Sequence, residues 1–355
     1  MHFPSFLSLP RSAAALALAA SVASCVRVPL SPPLDSPPPP PARPSIPLPP
    51  HPSPPAPAPT PPPPIQSAVP PASVEVLFAA QTRLDRANCS PGGIDGRWGG
   101  KSEKALAAWR KINGSPSSGP IGPADLAALG DTNGVLSSYS VSDADHASLT
   151  PYPSSWTERS KMDRLGHSSI EELVAEKFHL YRAALRRINP SADWPNPPAG
   201  TVLAVPDVRS RPLPMLSKIE ISLSRKTLRA YGPDGKLAAH FPCSIAADKA
   251  KRPEGQTLRV VVWAENPDYT YDPALFAADP NGPADAKRLR IPPGPNNPVG
   301  VAWIGLDRPG YGIHGTPAPE DVSLTESHGC FRLTNWDAQK LVRAVRKDLP
   351  VVVLP

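Results

Sequence analysis

Two periods of hydrophobic and polar residues divide this chain. Apolar residues at Val76, Leu77, Ala80 and Leu84 share one face of a helix. Ala105, Leu106, Trp109 and Ile112 predict a second helix, with Ser102 as its N-cap. The turn-rich "SPGGIDGRWG" separates the two, and Pro123 opens a third, short helix. Further on, Leu173, Val174 and Phe178 mark one helix and Leu185 and Ile188 another, before the short strand "GTVLAVP". A partner strand is expected near "ERSKMDRLGH". Residues 131–156 are polar, Ser/Pro-rich and without period, so they read as a linker.

From Ser217 the period falls to two. "KIEISLSRKTLRAYGPDGKLAAHFPCSIA" predicts strands with a hairpin turn at "GPDG", and Cys243 falls in the third of them. "TLRVVVWAEN", "VGVAWIGL", "YGIHG" and "LPVVVLP" are further strands. One helix is predicted between Asn335 and Lys347, with Thr334 as N-cap and Ala338, Leu341, Val342 and Val345 facing inward. The Pro/Gly/Asp-rich stretch from Glu265 to Gly300 is long for a loop in a compact domain, and is expected to border the functional cleft.

Composition limits how much of the chain folds. Of 54 prolines, 23 lie between Pro29 and Pro71. Such a segment buries too little apolar surface to offset its chain entropy. The foldable part therefore begins near Ala72. The net charge of +6 is scattered. It favours anionic surfaces but supplies no basic stripe with interleaved aromatics, so nucleic acid is not expected as a partner. The four cysteines, Cys25, Cys89, Cys243 and Cys330, have no metal-like spacing. No metal or organic cofactor is expected.

At the N-terminus, Arg11 precedes the apolar run "AAALALAASVA", too short to span a membrane. It ends in "VASC", which resembles a bacterial lipobox. The resemblance implies signal cleavage before Cys25 and lipidation of that cysteine. An acyl anchor holds through about 0.8 kcal/mol per buried CH₂. The proline-rich residues after it, at about 3.1 Å each in polyproline II, would reach on the order of 100 Å from the membrane. This implies a lipoprotein of the cell envelope facing the periplasm, with the outer membrane preferred because Val26 is not an acidic retention signal.

The chemistry concentrates near the C-terminus. "GIHGTP" places His314 at a strand end, and "SHGCFRL" follows. If that segment is extended, His328 and Cys330 point the same way, and an imidazole reaches the thiol. A free cysteine, with a pKa of about 8.5, needs such a neighbour to react at pH 7. Gly329 permits a tight bend, and backbone N–H groups at Gly329 and Cys330 are natural oxyanion donors. Arg332, two residues on, suits a substrate carboxylate. A packed histidine at His314 and a chance His–Cys pair are the bland readings. A disulfide at Cys330 would remove the nucleophile.

"YGIHGTPAPEDVSLTESHGCFRLTNWDA", with "IPPGPNNPVGVAWIGL" upstream, resembles the L,D-transpeptidase (YkuD-type) catalytic domain. The loop "GGIDGRWGGKSEKAL" with its following "AAW" resembles the peptidoglycan-binding domain, and residues 168–208 resemble a LysM module. The resemblances imply a multidomain chain: signal peptide 1–25, tether 26–72, three-helix module 73–130, linker 131–156, α+β LysM-like module 157–208, and a β-rich catalytic domain 216–355 with one main helix. They imply Cys330 as nucleophile, His328 as base, His314 lining the site, Gly329 in the oxyanion hole, and Arg332 and Ser327 on the substrate. The expected substrate is peptidoglycan: a tetrapeptide donor stem forms a thioester, and a neighbouring stem amine resolves it as a 3–3 cross-link. Water or a protein lysine as acceptor would give an L,D-carboxypeptidase or a lipoprotein-attaching enzyme. A non-catalytic wall-binding lipoprotein is the alternative of another class.

Overall fold

The computed structural model describes residues 73–273, 287–325, 327 and 329–355. The signal peptide, the tether, Cys25 and His328 lie outside the described residues. The described residues fall within one compact unit.

Helix α1 (Val74–Arg86) is capped by Ser73. It packs with α2 (Gly100–Ile112) and α3 (Pro123–Leu129). The cap of α2 is Gly99 rather than Ser102. Ser102 lies inside the helix, where its hydroxyl accepts from Gln81 Nε2 at 3.1 Å. Gln81 is buried and needs several partners. It also donates to Asp95 and Arg97 O and accepts the Asp95 and Gly96 N–H groups, so it organises the glycine-rich loop.

Residues 131–156 are not a bare linker. They hold β1 (Leu136–Ser140) and α4 (Asp143–Ala147), and α5 (Trp156–Arg159) begins at their end. β1 pairs antiparallel with β2 (Val202–Pro206), from Leu136↔Pro206 to Ser140↔Val202. The partner strand thus lies earlier than "ERSKMDRLGH", which contributes to α5. The reason is the composition of β1: "LSSYS" is almost wholly exposed and carries no apolar alternation. Its backbone pairing with β2, which buries Leu203 and Val205, holds it in place. Helices α6 (Ile170–Lys177) and α7 (Arg182–Ile188) complete this part.

These parts share hydrophobic cores. Phe78 and Ile94 pack with Ile170, Val174 and Leu203, while Tyr231 and Leu237 pack with Leu84 and Leu106.

Among the described residues, the main sheet of the C-terminal domain has eight strands: β3 (Lys218–Ser222), β4 (Thr227–Tyr231), β5 (Leu237–Pro242), β6 (Thr257–Glu265), β9 (Ala302–Leu306), β10 (Gly312–His314), β11 (Phe331–Arg332) and β12 (Pro350–Leu354). Their order is β11-β10-β9-β6-β12-β3-β4-β5. β12, last in sequence, lies in the middle of the sheet and joins its halves by pairing parallel with β3 and antiparallel with β6. A separate ribbon, β7 (Tyr269–Tyr271) with β8 (Leu289–Ile291), rises from the long loop. Trp156 stacks on Tyr271 with centroids 4.5 Å apart. Helix α8 (Asn335–Val342) is capped by Thr334 as expected but ends before Lys347, while Val345 beyond it is still buried.

Candidate active site

The site forms where β10 and β11 run parallel at the sheet edge. Ile313 opposes Phe331 and both side chains enter the core. His314 opposes Arg332, so these two share the other face. Cys330 immediately precedes β11, in the bend two residues before Arg332. Its Sγ lies 3.4 Å from Gly310 O. Burial pushes the thiol's pKa up, and the Gly312 N–H works against this by favouring the thiolate. A half-buried thiol with a raised pKa stays protonated at neutral pH and needs a base before it can attack.

His314 is buried, and its Nδ1 lies 2.6 Å from Gly315 O. A carbonyl only accepts, so Nδ1 carries the hydrogen and Nε2 keeps its lone pair. Burial lowers the imidazole pKa to about 4; the bond to Gly315 opposes this, and the Arg332 charge adds to it. Arg332 donates from Nη2 to Thr325 Oγ1 at 2.6 Å, so part of its donor capacity is committed within the protein.

The segment before the thiol is fixed by backbone. Ser327 N–H donates to Ile245 O at 2.7 Å, and Ala247 N–H donates to Ser327 O at 2.8 Å. Arg332 and Ser244 exchange both backbone hydrogen bonds. The Ser327 hydroxyl donates to Cys330 O and faces the Gly329 N–H at 3.4 Å. Ser327 therefore braces the turn that presents Cys330.

Trp303 is a site residue that the sequence pattern does not single out. It pairs with His314 across β9 and β10, with ring centroids 5.9 Å apart. Its indole covers Gly312 and Gly305: a Cβ at Gly312 would stand 2.5 Å from the ring, and one at Gly305 3.0 Å from Nε1. The alternation in "VAWIGL" does put Trp303 and Gly305 on one face. Tyr269 of β7 is a second such residue. Its phenol is pushed up to about 12 by burial, and the negative charge of a Cys330 thiolate would add to the effect. Cys89 and Cys243 are free and buried, with thiols pushed up to about 12 by burial, and neither suits a nucleophile.

Residues 217–353 match the family described as the L,D-transpeptidase catalytic domain, YkuD. Three relatives are named as L,D-transpeptidases. YkuD of Bacillus licheniformis is 27% identical over 52% of this chain and 93% of its own length. YbiS of Escherichia coli K12 is 28% identical over 51% of this chain and 58% of its own. ErfK/SrfK of the same organism is 30% identical over 48% and 54%. The chain thus spans little more than half the length of the Escherichia coli relatives. Among solved structures, L,D-transpeptidase 3 from Mycobacterium tuberculosis aligns at 17% identity over 49% of this chain and 85% of that one. Its TM-score is 0.31, too low to carry weight. Residues 217–353 are a β-rich L,D-transpeptidase catalytic domain, and the chain carries an enzyme of that class.

Proposed function

We propose that this L,D-transpeptidase domain joins peptidoglycan stems through a thioester on Cys330. The observation that carries the reading is the half-buried Cys330 thiol, 3.4 Å from Gly310 O and two residues before the Arg332 that pairs with His314. The Cys330 sulfur attacks the carbonyl carbon of the third residue of a tetrapeptide stem. Its proton passes to His314 Nε2 and then to the departing D-alanine amine. The amine of a second stem attacks the thioester, loses its proton to His314, and the thiol is restored. The product is a 3–3 cross-link, with no net proton change.

The proposed base is His314, where the sequence pattern points to His328. The support is its fixed tautomer and its neutral state. Arg332 suppresses His314 basicity in the free enzyme. A stem carboxylate bound at Arg332 would offset that charge, so donor binding would itself strengthen the base. Cys330 and Gly329 N–H groups are the proposed oxyanion donors, although Gly329 N–H also faces Ser327.

Purified protein given disaccharide tetrapeptides tests this. Release of D-alanine together with stem dimers is expected, and Cys330→Ala abolishes both. Release without dimers would make the acceptor water and the enzyme a carboxypeptidase. No release from protein whose Cys330 thiol titrates as free and reduced would leave a wall-binding role.

We propose also that Cys25 is acylated, which would tether the domain to the envelope membrane facing the periplasm. The lipobox-like "VASC" supports this. Mass spectrometry of the mature N-terminus decides it, and an unmodified or internally cleaved Cys25 would end the idea.

A further inference from the structure

We infer that Asn335 positions His314, and that Glu176, outside the catalytic domain, fixes Asn335. The inference rests on His314 being the base.

Asn335 is the first residue of α8 and is almost wholly buried. Its amide is used on both sides. Nδ2 donates to Glu176 Oε2 at 2.9 Å and to Pro295 O at 3.0 Å. Oδ1 accepts the Val301 N–H at 3.2 Å. The same oxygen lies against two glycines. A Cβ on Gly315 would stand 2.3 Å from it, and a Cβ on Gly300 would stand 1.9 Å from it. Only glycine fits at either place. Gly300 also has φ +62°, a conformation that other residues rarely adopt.

The consequence reaches the imidazole in one step. Gly315 O is the acceptor that fixes His314 Nδ1–H. The Asn335 amide packs against the Gly315 backbone, so the direction of that carbonyl depends on where the amide sits. The other anchors of this turn are backbone bonds, Gly315 N–H to Ala302 O and Leu333 N–H to His314 O. Asn335 is the side chain that closes it from below.

Glu176 comes from α6, in the helical part that precedes the catalytic domain. Its other oxygen lies 3.4 Å from His167 Nε2. The Glu176 carboxylate aims its second oxygen, Oε2, at Asn335 Nδ2. An amide can flip, exchanging donor for acceptor; the Glu176 carboxylate and Pro295 O, neither of which can donate, oppose the flip at Nδ2, and the Val301 N–H opposes it at Oδ1. The helical part therefore supplies one of the groups that fix how His314 is presented.

The test uses the full chain with Glu176→Ala, Glu176→Gln and His314→Ala. Two quantities are measured: D-alanine release from the tetrapeptide, and the pH profile of Cys330 alkylation by iodoacetamide. Glu176→Ala is expected to lower kcat roughly tenfold, since small misplacements of a catalytic group have effects of this size, while KM stays within about twofold. Its alkylation profile should move along the pH axis. Glu176→Gln keeps a side-chain carbonyl for Asn335 Nδ2 and should restore most of the rate. A Glu176→Ala protein with the parent kcat and profile overturns the inference. So does an equal loss in both variants that merely follows a fall in melting temperature. If His314→Ala is inactive while Glu176→Ala matches the parent, this inference fails alone. If His314→Ala retains the parent rate, the base assignment falls and takes this inference with it.

Discussion

The indole of Trp303 and the imidazole of His314 lie face to face, 5.9 Å between centroids and 25° between planes. The stack is possible because Gly312 and Gly305 leave the indole a flat bed. Gly312→Ala should force the ring away, since a Cβ there meets it at 2.5 Å. Overpacking of this kind costs about 1–3 kcal/mol. D-alanine release should fall more than tenfold, while Trp303→Phe, which keeps a smaller ring over the glycines, should fall less. Steady-state rates beside a thermal melt separate loss of the site from loss of the fold.

Burial of His314 sets the acid limb of the rate profile. It holds this pKa at about 4, so the imidazole is neutral, and competent as a base, down to that region. An ordinary histidine would lose its basic form near 6.5. The kcat/KM profile should therefore hold well below pH 6 and fall only as pH approaches 4. Arg332→Gln removes the charge that adds to the effect of burial and should move the limb upward. A parent limb at 6.5 that does not move in this variant would exclude His314 from the role.

The β-rich domain was legible because strands such as "KIEIS" alternate apolar and polar residues, because others such as "PVVVL" are short β-branched runs, and because "SHGCFRL" gathers reactive residue types in seven positions. β1 was not legible, because an exposed strand of "LSSYS" has no apolar face and depends on pairing with residues about 65 positions away. Ser102 was misplaced as a cap because Ser at a helix start is a local signal, whereas its real partner, Gln81, is tertiary. Trp303 and Asn335 both lie within the stretches that carry the family resemblance, but nothing in their spacing marks them, and only the fold brings them to His314 and its Gly315.

His240 should govern stability in acid. It is buried on β5 beside Asn88, Cys89 and Ser90, and neither ring nitrogen finds a partner among the described residues. Burial pushes its pKa down to about 3, with Arg229 and Lys104 adding to the effect. The unfolded chain takes up this proton near pH 6.5, and the native state does not until about 3. Stability from this site is therefore complete above 6.5 and is lost as pH falls through that window. His240→Leu should flatten the decline in melting temperature between pH 6.5 and 4. An unchanged slope would place the acid sensitivity elsewhere.

Asp337 should act in the opposite direction. Its carboxyl is buried on α8 and accepts from Ser90 Oγ at 2.8 Å, while Oδ1 has no partner among the described residues. Burial raises it to about 7; Lys340 opposes the rise, Asp85 adds to it, and bonds from Ser90 and Thr334 oppose it. Lys101 also feels the Asp337 charge. Asp85 takes most of the local positive charge. Burial would raise its carboxyl, but His179 and Lys340 hold it at about 2. With a folded pKa near 7 and an unfolded value of 3.8, the native state keeps a proton that the unfolded chain releases. Stability is then fully present below about 3.8 and is lost as pH rises toward 7, by about 1.4 kcal/mol for each pH unit crossed. Asp337→Asn keeps an acceptor for Ser90 and carries no charge at any pH. Relative to the parent it should gain stability steadily from pH 5 to about 7, by about 3 kcal/mol in total by the same conversion, and level off above that. Comparing the two proteins at each pH cancels the His240 contribution, which both share. A difference that stays flat across this range would mean that Asp337 is ionised in the fold and that Lys340 is its true partner.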